Sequence, residues 1–155
     1  MNKNSIKLKK VDLGLDIDFG APLPTILANE NKLLLLFHKI FQKDNEVIRI
    51  IFKNYVSFKF GLPSEDSSEG HPYSKYGLGS EDVVEVINSD WIKEIDKIEQ
   101  SSEDYDKDRF NKLKHYIFLF HDSTFECIAE SFEIEELKGK SRADALTKAI
   151  KKLEE

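Results

Sequence analysis

Three side chains that can bind a metal or transfer a proton lie close together in residues 115–130. They are His121, Asp122 and Glu126. The surrounding residues are aromatic and β-branched, which predicts a β-hairpin, and Asp122-Ser123 is the expected two-residue turn. Alternate residues of a strand share a face, so His121 and Glu126 should lie on one face with Asp122 beside them. Imidazole and carboxylate groups are suitable ligands for Zn, Mn or Fe, and histidine titrates near neutral pH.

The same residues also have a purely structural interpretation. Polar side chains on the solvated face of an ordinary hairpin would give the same sequence pattern. Asp122-Ser123 would then be present because these residue types form turns. A two-residue turn would pair Leu119 with Glu126 and His115 with Glu130. Asp-Ser is not a favoured pair for such a turn, so the register stays open.

A further histidine lies in a long segment that is rich in Gly, Pro, Ser and acidic residues. His71 follows Gly70 and precedes Pro72 within residues 61–80, which we predict to be a loop. His71 could reach the hairpin turn as a third ligand beside His121 and Glu126, or it could be an ordinary loop residue. Cys127 falls on the opposite, apolar face of the hairpin, where a thiol behaves as a small hydrophobic group.

The elements that must position these groups predict an α+β fold. Residues 25–60 read as a β meander, and residues 116–134 as the hairpin. Helices are expected after the N-cap residues Ser89 and Ser141. We therefore predict one domain over residues 1–155: an antiparallel sheet with two to four helices on one side, preceded by a flexible lysine-rich arm at residues 1–10. The apolar run 33–37 does not alternate, which favours a central strand that is covered on both faces.

Composition excludes several classes of protein. The chain has 155 residues and a formal charge of −6, which argues against a nucleic-acid partner. Its longest apolar run is far shorter than the roughly 20 residues of a membrane span, and its start lacks the apolar core of a signal peptide. The single cysteine excludes an internal disulfide. We therefore expect a cytoplasmic protein, with no membrane partner. The phosphate-binding loop, the Gly-x-Ser-x-Gly elbow, His-Glu-x-x-His and Cys-x-x-Cys do not occur in the sequence.

Several segments together resemble a family of small uncharacterised bacterial proteins. They are Gly-His-Pro at 70–72, Tyr-Gly-Leu at 76–78, Val-Ile-Asn-Ser-Asp-Trp-Ile at 86–92 and the stretch 115–129, which contains Phe-His-Asp-Ser-Thr-Phe-Glu-Cys. The likeness covers about residues 46–135. It implies a bacterial origin and a site region, but no reaction. It also implies that one neighbourhood contains His71, Asn88, Ser89, Trp91, His121, Asp122, Ser123, Thr124 and Glu126.

Two functional hypotheses remain open. The first, which we favour, is a non-catalytic interaction module for a basic protein partner, for example an immunity protein; the acidic segments 65–69 and 103–108 would help to attract that partner. The second is a small metal-dependent or acid–base enzyme that uses His121 and Glu126. The first hypothesis needs no cofactor. The second predicts a bound divalent metal. An exposed sheet edge would also allow a homodimer.

Overall fold

The computed structural model confirms the α+β class. It describes residues 4–17, 22–39, 46–79, 83–139 and 141–155. The strands are β1 (Lys7–Lys10), β2 (Thr25–Ala28), β3 (Leu33–His38), β4 (Glu46–Lys53), β5 (Ser57–Gly61), β6 (Val83–Ile87), β7 (Lys114–Leu119), β8 (Thr124–Ala129) and β9 (Ser131–Lys138). The helices are α1 (Asp90–Glu99), α2 (Lys107–Asn111) and α3 (Arg142–Glu154), and two short 3₁₀ turns span Glu65–Gly70 and Ser74–Tyr76.

The strands form two antiparallel sheets rather than the single sheet that we expected. The first has the order β1-β6-β7-β8-β5 and the second has the order β2-β3-β4-β9. Their inner faces enclose one aromatic core, which includes Phe37, Phe52, Phe118 and Phe125. The prediction for residues 33–37 is confirmed, because β3 is a central strand whose residues are all buried.

Helices cover the outer faces of both sheets, whereas we expected them on one side. Ala145 and Ala149 of α3 pack on the outer face of the four-stranded sheet. Trp91 of α1 and Phe110 of α2 pack with Ile128 on the outer face of the five-stranded sheet. Two stacked sheets leave two apolar outer faces, and each needs its own cover. In the described part of the chain, none of the helices has the length and hydrophobicity to cross a bilayer.

The prediction of a flexible arm is wrong for residues 7–10. These residues form β1, which pairs with β6 from Lys7 opposite Ile87 to Lys10 opposite Val84. Leu8 packs against the apolar cluster on the outer face of the five-stranded sheet. The lysines around Leu8 are exposed, which made the segment look fully solvated in the sequence.

The hairpin register differs by two residues from the expected one. Leu119 pairs with Thr124 and Ile117 with Glu126, and the turn closes with the Phe120 N–H donating to the Ser123 carbonyl at 2.9 Å. Because a shift of two residues preserves the alternation, every side chain keeps its predicted face. The shift does change neighbours, since His115 now pairs with Ile128 and lies diagonal to Glu126.

The segment 62–79 lies over the outer face of the five-stranded sheet. The Thr124 hydroxyl donates to the Pro63 carbonyl at 2.6 Å, and the Glu65 N–H donates to the His121 carbonyl at 2.8 Å. Tyr73 and Leu78 are buried against strands β6 and β7. The long segment is therefore fastened to the sheet on which Glu126 lies.

Candidate functional site

A largely buried carboxylate, Glu126, lies at the centre of the site. Its Oε1 is 2.8 Å from Nε2 of His115, and its Oε2 is 3.0 Å from Nε2 of His71. The two imidazole side chains are 1% and 2% exposed, and the Glu126 side chain is 13% exposed. Each carboxylate oxygen therefore has an imidazole partner, and a small part of the group still faces a pocket.

Two strands and one irregular segment bring these three residues together. Glu126 is on β8 and His115 is on the neighbouring strand β7, both on the outer face. His71 follows the first 3₁₀ turn, and its own N–H closes that turn on the Ser68 carbonyl at 2.9 Å. The His71 ring then enters the space above β8. Its position depends on how residues 62–79 cross the sheet.

The partners of both nitrogens together define the tautomer of each ring. Nδ1 of His71 accepts a hydrogen bond from the Tyr73 N–H at 3.0 Å, so the ring proton is on Nε2 and is donated to Glu126. Nδ1 of His115 is 2.7 Å from the Ser89 hydroxyl. With His115 neutral, the hydroxyl donates to Nδ1 and Nε2–H donates to Glu126. Both rings are thus neutral donors to one anion.

The pKa shifts in the site follow from this arrangement. Burial alone would raise the pKa of Glu126, but the hydrogen bonds from His115 and His71 outweigh that effect and lower it to about 2. Burial lowers the pKa of His115, although the nearby Glu126 opposes the shift. At neutral pH the site therefore holds an ionised carboxylate and a neutral His115.

The N-terminus of α1 forms the next layer around the histidines. Ser89 is the N-cap, and its oxygen accepts the Ile92 N–H at 3.3 Å. The Trp91 ring packs edge-on against His115, with the ring centroids 5.1 Å apart. The Tyr73 ring also packs edge-on against His115, with the ring centroids 5.5 Å apart, and burial raises the pKa of Tyr73. The hydrogen-bonded chain from Glu126 thus ends at the cap of a helix.

A pocket of about 260 Å³ opens beside Glu126. Its walls are aromatic and charged, and they include Lys59, Lys75, Tyr76, Trp91 and Glu94. Nζ of Lys59 lies 4.1 Å from the centroid of the Trp91 ring, and Nζ of Lys75 lies 5.2 Å from that of Tyr76. Both distances are within the range of a cation–π interaction.

The structure brings together four residues of the predicted neighbourhood: His71, Ser89, Trp91 and Glu126. Thr124 lies next to them on β8 and anchors Pro63. The other predicted residues have separate roles. The Asn88 side chain donates to the Ser5 carbonyl at 3.0 Å, and the Ser123 carbonyl closes the hairpin turn.

His121 and Asp122 lie in the turn, away from the two buried histidines. Nδ1 of His121 is 2.9 Å from Asp122 and Nε2 is 3.8 Å from Glu65, so both ring nitrogens face carboxylates other than Glu126. The hydrogen bond with Asp122 raises the pKa of His121, whose side chain is 47% exposed. His115 takes the place next to Glu126 that we expected for His121.

Among the described residues, no three His, Cys, Asp or Glu side chains are arranged to hold a metal ion. Cys127 is fully buried in the core, as its alternation predicts, and burial raises its pKa well above the usual range.

Sequence reasoning missed His115, Tyr73 and Lys59 as members of the site. The alternation places His115 on the same face as Glu126, but the assumed turn put it opposite Glu130. Lys59 is directly opposite Glu126 on β5, a pairing that depends on a long-range register. The alternation already indicated that His115 shares a face with Glu126. A turn formed by the four residues 120–123 would have placed His115 diagonal to Glu126.

Comparisons with protein-family models, curated proteins and solved structures gave no match to this chain.

We expect Glu126→Gln to destabilise the fold although the side chains have nearly the same shape. The Tyr73 N–H fixes the tautomer of His71, whose Nε2–H needs the amide oxygen, so the amide nitrogen of glutamine faces His115. His115 can accept from that nitrogen only if its proton moves to Nδ1 and the Ser89 hydroxyl turns from donor to acceptor. Two hydrogen bonds to an ionised carboxylate then become weaker neutral ones, which should lower the unfolding free energy in urea denaturation by about 1–2 kcal/mol. The control is Glu130→Gln, because an amide oxygen can still accept the hydrogen bond from Asn54. Equal stabilities of the two variants would contradict the arrangement.

The lowered pKa of His115 predicts a loss of stability on acidification. Below about pH 6.5 the unfolded chain protonates this residue while the folded chain resists, so the unfolding free energy falls as the pH decreases from about 7.5 to about 5. His115→Gln keeps an N–H for Glu126 and should flatten this dependence. His121→Gln should steepen it slightly, because the raised pKa of His121 acts in the opposite direction. The lowered pKa of Glu126 adds a further loss between about pH 4.5 and about pH 2.

Proposed function

We propose that this protein is a non-catalytic binding module that captures a basic group of a protein partner in the pocket beside Glu126. The observation that carries the proposal is the placement of two ammonium groups in that pocket. Lys59 and Lys75 each hold Nζ over an aromatic wall, at 4.1 Å from Trp91 and 5.2 Å from Tyr76. The chain's own lysines thus act as internal stand-ins for a cationic ligand.

The charges around the pocket support a cationic ligand. Three acidic residues line it, Asp90, Glu94 and Glu126, against two lysines. Lys59 and Lys75 are both exposed, so they can move aside when a partner's side chain enters. Each oxygen of Glu126 has one imidazole donor and a carboxylate oxygen can accept two hydrogen bonds, which leaves acceptor capacity towards the pocket.

The saturation of the histidines favours binding over acid–base catalysis. Both nitrogens of His71 and both nitrogens of His115 have hydrogen-bond partners inside the protein. A general base needs a nitrogen or oxygen that can reach the substrate proton. A carboxylate with a pKa of about 2 is also a weak base. The alternative hypothesis of an enzyme that uses His121 and Glu126 would need His121 to leave the hairpin turn.

The overall charge of the chain is compatible with such a partner. The formal charge of −6 would attract a basic protein and raise its association rate. An immunity protein that neutralises a basic toxin is one example of this class. The single cysteine of this chain, Cys127, is a buried free thiol, which is compatible with a reducing compartment such as the bacterial cytoplasm.

Trp91 provides a direct test, because it is the only tryptophan in the chain and lines the pocket. We expect Nα-acetyl-arginine amide to change the tryptophan fluorescence in a saturable way at millimolar concentrations. The neutral isostere Nα-acetyl-citrulline amide should have little effect. An equal response to both compounds, or no saturable response to the arginine compound, would overturn the proposal.

A pair of variants on α1 makes this test specific. Glu94→Gln removes a carboxylate from the pocket wall and should weaken the binding of the arginine compound roughly two- to fivefold. Glu99→Gln removes the same charge from the exposed end of the same helix and should leave the affinity unchanged. Equal effects of the two variants would mean that only the total charge matters.

A further inference from the structure

Strand β5 presents an exposed apolar edge. It is the last strand of the five-stranded sheet among those that the structure describes. Phe58 and Phe60 on this strand are 37% and 48% exposed, and Leu62 directly after it is 85% exposed. Large apolar side chains beside an open strand edge are typical of a surface that pairs with another chain.

The other described sheet edges carry charges or are covered. Strand β1 shows three exposed lysines, Lys7, Lys9 and Lys10. Strand β9 has alternating acidic residues that form ion pairs with the neighbouring strand β4, for example Glu133 with Lys53. Strand β2 lies next to α3. Charged residues on an edge disfavour pairing, whereas β5 has Lys59 as its one charged residue.

We propose that β5 pairs with β5 of a second copy of this chain to form a homodimer. The pairing is antiparallel about a two-fold axis at Lys59, so that Phe58 of each copy faces Phe60 of the other. This inference goes beyond the ligand of the pocket and does not depend on it.

The inner face of β5 is self-complementary in this register. Phe58 and Phe60 point to the inner face, opposite Cys127 and Phe125 of β8, and the Phe58 ring stacks on Phe125 with centroids 6.3 Å apart. The two-fold axis creates two Phe58–Phe60 contacts that extend this aromatic layer. Aromatic pairs directly opposite each other stabilise antiparallel strands.

Lys59 is the one residue that would oppose this pairing. On the axis it faces Lys59 of the second copy, and like charges directly opposite are destabilising. However, its ammonium group lies 4.1 Å from the Trp91 ring, over the outer face of its own sheet. The ammonium groups of the two Lys59 side chains therefore point away from the axis, each towards the Trp91 ring of its own copy. The resulting sheet has ten strands, with both pockets on the same outer face.

A contact through five residues of each copy is small. Stable interfaces bury about 1,200–2,000 Å², so we expect a weak dimer whose population depends on concentration. Sedimentation velocity of the full chain between micromolar and near-millimolar concentrations should show a monomer–dimer equilibrium. A monomer at every concentration would overturn the proposal.

A matched pair of surface variants locates the interface. Phe60→Glu places a charge on the β5 edge and should shift the equilibrium at least tenfold towards monomer. Ile150→Glu makes the same change at another exposed apolar residue, 52% exposed on α3, and should leave the equilibrium unchanged. A dimer that persists in Phe60→Glu, or that Ile150→Glu abolishes, would assign the contact to another surface and contradict the proposal.

Cysteine cross-linking tests the register itself. Opposite residues of antiparallel strands have Cα atoms about 4.5–5.5 Å apart, which suits a disulfide. Under mild oxidation, Lys59→Cys should therefore form a covalent dimer. Ser57→Cys should not, because residue 57 faces residue 61 of the second copy. The native Cys127 is fully buried and does not compete. Equal cross-linking of both variants, or of neither, would refute this register.

Discussion

The site depends on one interaction, the burial of the Glu126 carboxylate between the imidazole groups of His71 and His115. Transferring an ionised carboxylate from water into a protein costs several kcal/mol unless donors replace the lost hydration. Here two neutral N–H groups supply those donors at 2.8 and 3.0 Å. The two donors belong to different elements, the segment 62–79 and β7. Ser89, at the start of α1, contacts the ring of His115, so all three elements take their positions around one charge.

That arrangement determines what the pocket offers to a ligand. The histidine nitrogens are occupied inside the protein, and the aromatic rings of Trp91 and Tyr76 already hold ammonium groups. What faces the pocket is acceptor capacity on a fixed negative charge, together with the electron-rich faces of rings. This chemistry fits the cationic ligand that we propose better than it fits proton transfer.

Local patterns in the sequence predicted the elements and their faces, but not how distant strands meet. Alternation placed Glu126 and His115 on one face of the hairpin, and an error of two residues in the register left that face intact. The same error hid the contact between them, which is why His121 seemed central. The division into two sheets, and the meeting of His71 with Glu126 across 55 residues of chain, depend on long-range pairing that periodicity does not encode.

The tautomers of His71 and His115 test the central claim most directly. Nitrogen-15 NMR of the histidine rings at neutral pH distinguishes the Nε2–H form, the Nδ1–H form and the imidazolium cation. We predict that both residues are neutral, with the proton on Nε2 and an unprotonated Nδ1 that accepts a hydrogen bond. An imidazolium ring or an Nδ1–H tautomer at either residue would contradict the account, because Glu126 would then be neutralised by an ion pair or would lack one of its donors.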